Sequence, residues 1–309
     1  MVNAAHIVLG ALVADAASLG VHWIYDPDRI AEIAERQGRA TGFTPIDPAN
    51  YEGVPSYFAH AARRDGMLSQ YGECLWLAVQ SMVAHGGSFD VATYTSAFAA
   101  HFGPGGSYQG YIDRPTRGAL ENISAEQEVT GIDDDQLPAL TRLPALVAAG
   151  SQDVFAAMQI TNVNAVAAQY SAVFSDLLTR VKTGENLPEA LRAAAQGADP
   201  TIRPLLTDAL ETSEQSSTDY AAKTGRACHL PMAGPLMFHI LAHSDSYREA
   251  VERNDLAGGD NAGRSLVIGA VMGAVHGVAT DTGIPLDWVL KLQDGDDIWA
   301  QCQALAAPA

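Results

Sequence analysis

The sequence predicts an all-α protein, folded as a single compact multi-helix domain over residues 1–309. Three observations carry the prediction. Apolar residues recur at helical spacing along most of the chain, and runs that alternate apolar with polar residues are scarce. A glycine-spaced segment near the C-terminus is suited to close helix packing. A βαβ nucleotide-binding sheet would need short Val/Ile-rich strands between the helices, and the chain offers none. With 48% hydrophobic residues there is enough apolar surface to offset chain entropy, which excludes wholesale disorder.

The elements follow in order. Behind Asn3 as a cap, Ile7, Val8, Ala11, Leu12 and Ala16 share a helical face. Residues 73–84 read as a helix closed by Gly86 and Gly87. Residues 90–102 place Val91, Tyr94, Thr95 and Phe98 on one face before Gly103 and Pro104 end the pattern. Helical periodicity continues through 137–149, 151–159, 165–182, 188–196, 204–211, 232–243 and 247–254. Two further helices span 264–280 and 285–305, the second broken at Gly295. Gly269, Gly273 and Gly277 fall every four residues, a stripe without side chains that lets a neighbouring helix approach closely in a soluble core.

Two irregular stretches stand out, residues 38–68 and residues 103–118 (GPGGSYQGYIDRPTRG), because long loops in compact domains often carry function. The second sets unhindered backbone at Gly103–Gly106 beside Tyr108, Tyr111, Arg114 and Arg117, a mix suited to a phosphorylated aromatic ligand or to a packed surface connection.

A net charge of −18 disfavours nucleic acid and anionic membrane as partners, although a small anionic ligand can still be held by local N–H groups and Arg. Cys74, Cys228 and Cys302 are far apart and form no CxxC or Cys/His cluster, so neither a zinc site nor a disulfide framework is expected. The N-terminal apolar stretch is interrupted by Asp15 and lacks a basic flank, so a cytoplasmic protein without signal peptide or membrane span is expected.

Three segments, in order and at nearly full-length spacing, resemble the ADP-ribosylglycohydrolase family. They are GALVADAASLGVHWIYD, MLSQYGECLWLAV in the place of a Thr-Asp-Asp-Thr motif, and GGDNAGRSLVIGAVMGAVHG in the place of Gly-Gly-Asp-Thr-Asp-Thr. HWIYD, YQGYIDRPTR and GRACHLPMAGPLMFHIL resemble its crystallin J-like branch. The resemblance implies hydrolysis of a glycosidic bond to ADP-ribose, on a small-molecule or protein-linked ADP-ribosyl ligand, at a dinuclear Mg²⁺ site. In the first motif the four positions are Gly72, Glu73, Cys74 and Leu75; in the second they are Asp260, Asn261, Ala262 and Gly263. One carboxylate remains in each. Hard cations need oxygen ligands, and two adjacent ions need bridging carboxylates, so at most one Mg²⁺ is expected, held by Glu73 and Asp260. The alternative is that both acids simply cap helix N-termini.

The resemblance makes Glu73, Asp260 and His22 the catalytic candidates, through metal binding or acid/base work at an oxocarbenium-like transition state. Asp15 and Asp26 come second, Asp15 as a structural residue. Asn261 and Arg264, at the start of the glycine-spaced helix, and Tyr108 and Tyr111 are the candidates for ligand binding. His239 and His243, one turn apart, read as a solvent-facing or polar-core pair, and Asp133–Asp135 as a solvated turn. Two functions stay open: a hydrolase with reduced metal demand, and a non-catalytic ADP-ribose-binding or crystallin-like structural protein. An open cleft around Glu73, Asp260 and Asn261 favours the first; a cleft filled by side chains favours the second.

Overall fold

The structure is a computed structural model that describes residues 3–38 and 40–307. The N-terminal half runs through α1 (Ala5–Ser18), α2 (Pro27–Arg36), α3 (Gln70–Ala84), α4 (Val91–Phe102), α5 (Arg114–Ser124), α6 (Leu143–Ala149) and α7 (Val154–Met158). Then come α8 (Ala165–Lys182), α9 (Leu187–Gly197), α10 (Arg203–Glu211), α11 (Ser217–Thr224) and α12 (Leu230–Ala242). The chain ends with α13 (Tyr247–Ala257), α14 (Asn261–His276), α15 (Leu286–Val289) and α16 (Gly295–Ala306). Among the described residues there is no sheet, only isolated bridges such as Ile24 with Ser56. The all-α expectation holds.

The middle of the fold is the crossing of α1 with α14, the most extensive helix pair in the molecule. Both helices are buried nearly all round, which is why their apolar residues show little sidedness. A Cβ added at Gly10 would overlap the carbonyl oxygen of Gly269, and one at Gly273 would overlap that of His6. The glycine stripe therefore does bring two backbones into contact. Gly277 plays a different part: it lies past the end of α14 with φ 74°, where a side chain would be strained.

Several boundaries differ from those expected. The segment 137–149 splits into a 3-10 turn (Leu137–Leu140) and α6, with Pro138 and Pro144 each opening a helical run. Three helices were not read from periodicity: α2, α5 and α11. Each carries a side-chain N-cap, from Asp26, Asp113 and Ser216 respectively. The loop expected over 103–118 thus ends at Asp113. Asp134 is buried rather than solvated, paired with Arg114 and accepting from Gln136 N at 2.9 Å. His239 is fully buried against Tyr220, bonded to Ser217 and the Thr212 carbonyl.

Candidate active site

Asp260 caps α14, accepting from Gly263 N at 3.2 Å. The same carboxylate accepts from the Tyr71 hydroxyl at 2.8 Å and meets His22 Nε2 at 3.0 Å, and it is completely buried. Burial pushes its pKa up, but the bond and charge of His22, the Tyr71 hydroxyl and the Arg264 charge outweigh it and hold the group below the usual carboxylate range. His22 Nδ1 in turn meets His60 Nε2 at 2.7 Å. Burial first, then the charges of His22 and Arg63, push His60 well below the ordinary histidine range. Among the described residues, His60 Nδ1 has no hydrogen-bond partner.

Of this row, His22 and His60 border a hollow of about 10 Å³ that is also lined by Trp23, Ser69, Gln70, Tyr71, Tyr111 and Asp113. That is about the room one water requires. Trp23 is held at φ 66°, a left-handed conformation that a bulky residue adopts only when its surroundings impose it. Its N–H donates to the Gly259 carbonyl and its carbonyl accepts from Tyr57 N. The rings of Trp23, Tyr57 and Tyr111 touch one another with centroids 4.8–5.8 Å apart, leading outward from buried Trp23 to exposed Tyr57. Burial raises Asp113 to about 6, against the bonds it accepts from Thr116 and Gln70.

Glu73 lies two residues beyond Tyr71 on α3, and residues so spaced do not share a helix face. It points to a separate cluster. One carboxylate oxygen pairs with Arg63 and the other meets His101 Nε2 at 3.1 Å. Burial works against its ionisation, yet His101 and Arg63 together keep its pKa below the ordinary value. Arg63 is itself buried, donates twice to the Leu68 carbonyl and lies 4.8 Å from the Tyr108 ring. The two acids therefore have separate partners, and neither lines the hollow beside His60. The expectation that both would rim one shared cleft is corrected: each is held by its own partners, and neither borders the hollow.

Asn261 and Arg264 are also fully buried. The Arg264 guanidinium donates to Asn254 Oδ1 and to the carbonyls of Arg226, Asn254 and Gly258, and Asn261 Nδ2 donates to Asp255 and the Ser18 carbonyl. Their donors are turned inward, tying α14 to α13, so the placement expected for ligand contact is corrected to an interior brace. Tyr108 and Tyr111 are nearer the surface, linked by the Tyr108 hydroxyl to the Tyr111 carbonyl at 3.0 Å. Tyr108 borders a groove of about 420 Å³ along Gly103–Gly106, with Ile112 and Arg117 on its wall. Asp15 is sealed, accepting from Ser69 N and Oγ, and burial raises it to about 7. Asp26 caps α2.

Three residues escaped the sequence reading: His60, Arg63 and His101. The first two lie in the irregular stretch 38–68, which marked the region but not the residues. His101 closes α4 as its last-turn base.

The residues present do not fit a dinuclear Mg²⁺ centre. A side chain at Gly72 would overlap the Asp15 carboxylate, and one at Gly263 would crowd Asp260 and Leu137. Burial raises the Cys74 thiol far above its usual range, so no thiolate is supplied there, and Ala262 has no donor. The oxygens of Glu73 and Asp260 are taken up by protein donors, and among the described residues no group of three or more metal-ligating side chains occurs.

A helical fold centred on a glycine-to-glycine crossing, with an acidic residue opening α14 and another in the first turn of α3, defines an ADP-ribosylglycohydrolase scaffold. The family's sequence profile matches residues 3–309, and the chain belongs to that family. Among curated proteins it is similar to crystallin J1A of Tripedalia cystophora, 26% identical over 97% of this chain and 94% of that protein. Crystallin J1B of the same animal is 24% identical over 94% and 92%. A solved structure described as an ADP-ribosylglycohydrolase-related protein complex shares the fold, with a TM-score of 0.67, 18% identity and 98% of both chains covered. Among the described residues no helix is long and apolar enough to cross a membrane.

Proposed function

We propose that this chain binds an ADP-ribosyl or related ribosyl-nucleotide ligand, small or protein-linked, and hydrolyses its glycosidic bond without a dinuclear Mg²⁺ centre. One observation carries the reading: each remaining motif carboxylate is kept ionised by the protein's own donors, Arg63 and His101 for Glu73, His22 and Tyr71 for Asp260. Stabilisation of the carboxylates that a metal would otherwise supply is built into the side chains. Positive charge developing on the ribose would meet the faces of Trp23 and Tyr111, and the groove at Gly103–Gly106 offers exposed backbone and Arg117 for phosphate. Glu73, Asp260 and His22 keep roles in this reading, but as a hydrogen-bonded framework rather than as ligands of an ion.

The test is calorimetric titration of ADP-ribose in EDTA and in millimolar Mg²⁺, followed by turnover assays on ADP-ribosylated proteins and small acceptors. Equal affinity in the two buffers, with turnover in EDTA, is the expected result. Affinity that appears only with Mg²⁺ removes the metal-free reading. A second reading, a structural protein of the crystallin kind, is favoured by the hollow of only about 10 Å³, too small for a sugar unless the Trp23, Tyr57 and Tyr111 rings part. Absence of any ADP-ribose binding would select it.

A further inference from the structure

We propose that His60 is the base that activates the attacking water, with His22 and Asp260 as its positioning residues; this rests on the hydrolase reading above. The order of the bonds supports it. Tyr71 and the Gly263 N–H donate to Asp260, so its carboxylate accepts, and the group facing it, His22 Nε2, must carry a proton. In the state in which His22 and His60 each carry one proton, His22 Nδ1 is an acceptor and His60 Nε2 donates to it over 2.7 Å. The remaining nitrogen, His60 Nδ1, is left with a bare lone pair. It is buried, has no partner among the described residues, and belongs to a side chain in the wall of a water-sized hollow. A buried acceptor left unpartnered is costly and calls for an explanation. The strained Trp23, stacked at 18° to the His60 ring, helps to fix the imidazole plane.

In the step itself, a water O–H bond breaks and its proton passes to His60 Nδ1. The water oxygen forms a bond to the anomeric carbon of the ribose. The bond from that carbon to the leaving atom breaks, with its electron pair, and the leaving group takes a proton from solvent. His60 then returns its proton to solvent. Asp260 is not protonated in the step; it holds His22 in the tautomer that supports the His60 imidazolium. No metal ion or redox partner is required.

The experiment has two arms on the full chain. Ring ¹H–¹⁵N correlation spectra of histidine-labelled protein at pH 7.5 should report His60 protonated at Nε2 and bare at Nδ1. In turnover assays, His60→Ala and His60→Gln should each lower kcat by about 10²-fold or more, with the Kd for ADP-ribose changed less than about threefold. The glutamine variant retains a donor toward His22, so its loss of turnover is not a loss of the bond. Added imidazole should restore part of the rate in His60→Ala, which a purely structural role would not allow. A proton on Nδ1, or turnover that survives His60→Gln, overturns the base assignment while the hydrolase reading stands. A wild type that turns over no ADP-ribosyl acceptor, with Nδ1 bare in the spectra, overturns the hydrolase reading and the base with it.

Discussion

The two acidic clusters that α3 reaches through Tyr71 and Glu73 hold their carboxylates in different ways. Asp260 is sealed and surrounded by neutral or tautomeric donors, Tyr71, His22 and a backbone N–H, and one end of that arrangement opens on the hollow beside His60. Glu73 is partly exposed and faces a permanent cation, Arg63, whose Nε and Nη2 also donate to the Leu68 carbonyl. A guanidinium cannot exchange protons at neutral pH, whereas an imidazole can. Both sides carry an imidazole, His22 on Asp260 and His101 on Glu73, and the Glu73 side adds a permanent cation in direct contact.

The largest effect that would separate the two sides is on stability. Asp260→Ala strands the Tyr71 hydroxyl and His22 in a sealed interior and should cost about 3–5 kcal/mol in denaturant melts. A loss under about 1 kcal/mol would mean the cluster is far less tightly coupled than its bonds imply.

Next comes the pH response. Asp15 has a folded pKa near 7, above its unfolded value, so the folded state holds its proton more tightly. Its effect is that stability declines as pH rises from about 4 to about 7 and is flat above that. Asp260 and Glu73 are depressed and act the other way, adding stability that is complete above about pH 4 and lost as acid protonates them. Asp15→Asn should flatten the decline between pH 4 and 7, measured as Tm against pH. A curve merely displaced in parallel would contradict the raised pKa.

A smaller effect is expected for Arg63→Met, because Glu73 can turn partly to water: about 2 kcal/mol, seen in thermal melts. The same variant at pH 4 should lose less relative to wild type, since Glu73 without Arg63 is partly neutral there. The smallest effect is that of Mg²⁺, whose addition at 5 mM should move the wild-type Tm by less than about 1 °C. A shift of several degrees would reveal a cation site that the protein's donors do not occupy.

Much of the architecture was legible because helix signals are local. The segment 165–182 coincides with α8, and the glycine period at 269 and 273 announced a close helix crossing before its partner was known. What escaped was written in caps rather than in periodicity: Asp26 before Pro27 and Asp113 before Pro115 open α2 and α5 without a long apolar stripe. The site was half legible. Motif positions led to Glu73 and Asp260, but nothing local to either residue could reveal that they take separate partners. His60 and Arg63 sit in a stretch without periodicity, and their importance arises only from contacts with residues far along the chain. Arg264 misled because its position at a helix start suggests solvent, whereas α13 and the Gly258 turn enclose it.

The Gly10–Gly269 crossing has a consequence for how this chain can vary in length. α1 leads through a short turn into His22, and α14 begins at Asp260, so the distance between those two side chains is set by how far each helix runs past the crossing. One residue inserted between Gly10 and the end of α1, or between Asp260 and Gly269, would advance its helix by about 1.5 Å and turn it by about 100°. The imidazole and the carboxylate would then miss each other. Segment lengths on both sides of the crossing are in effect frozen.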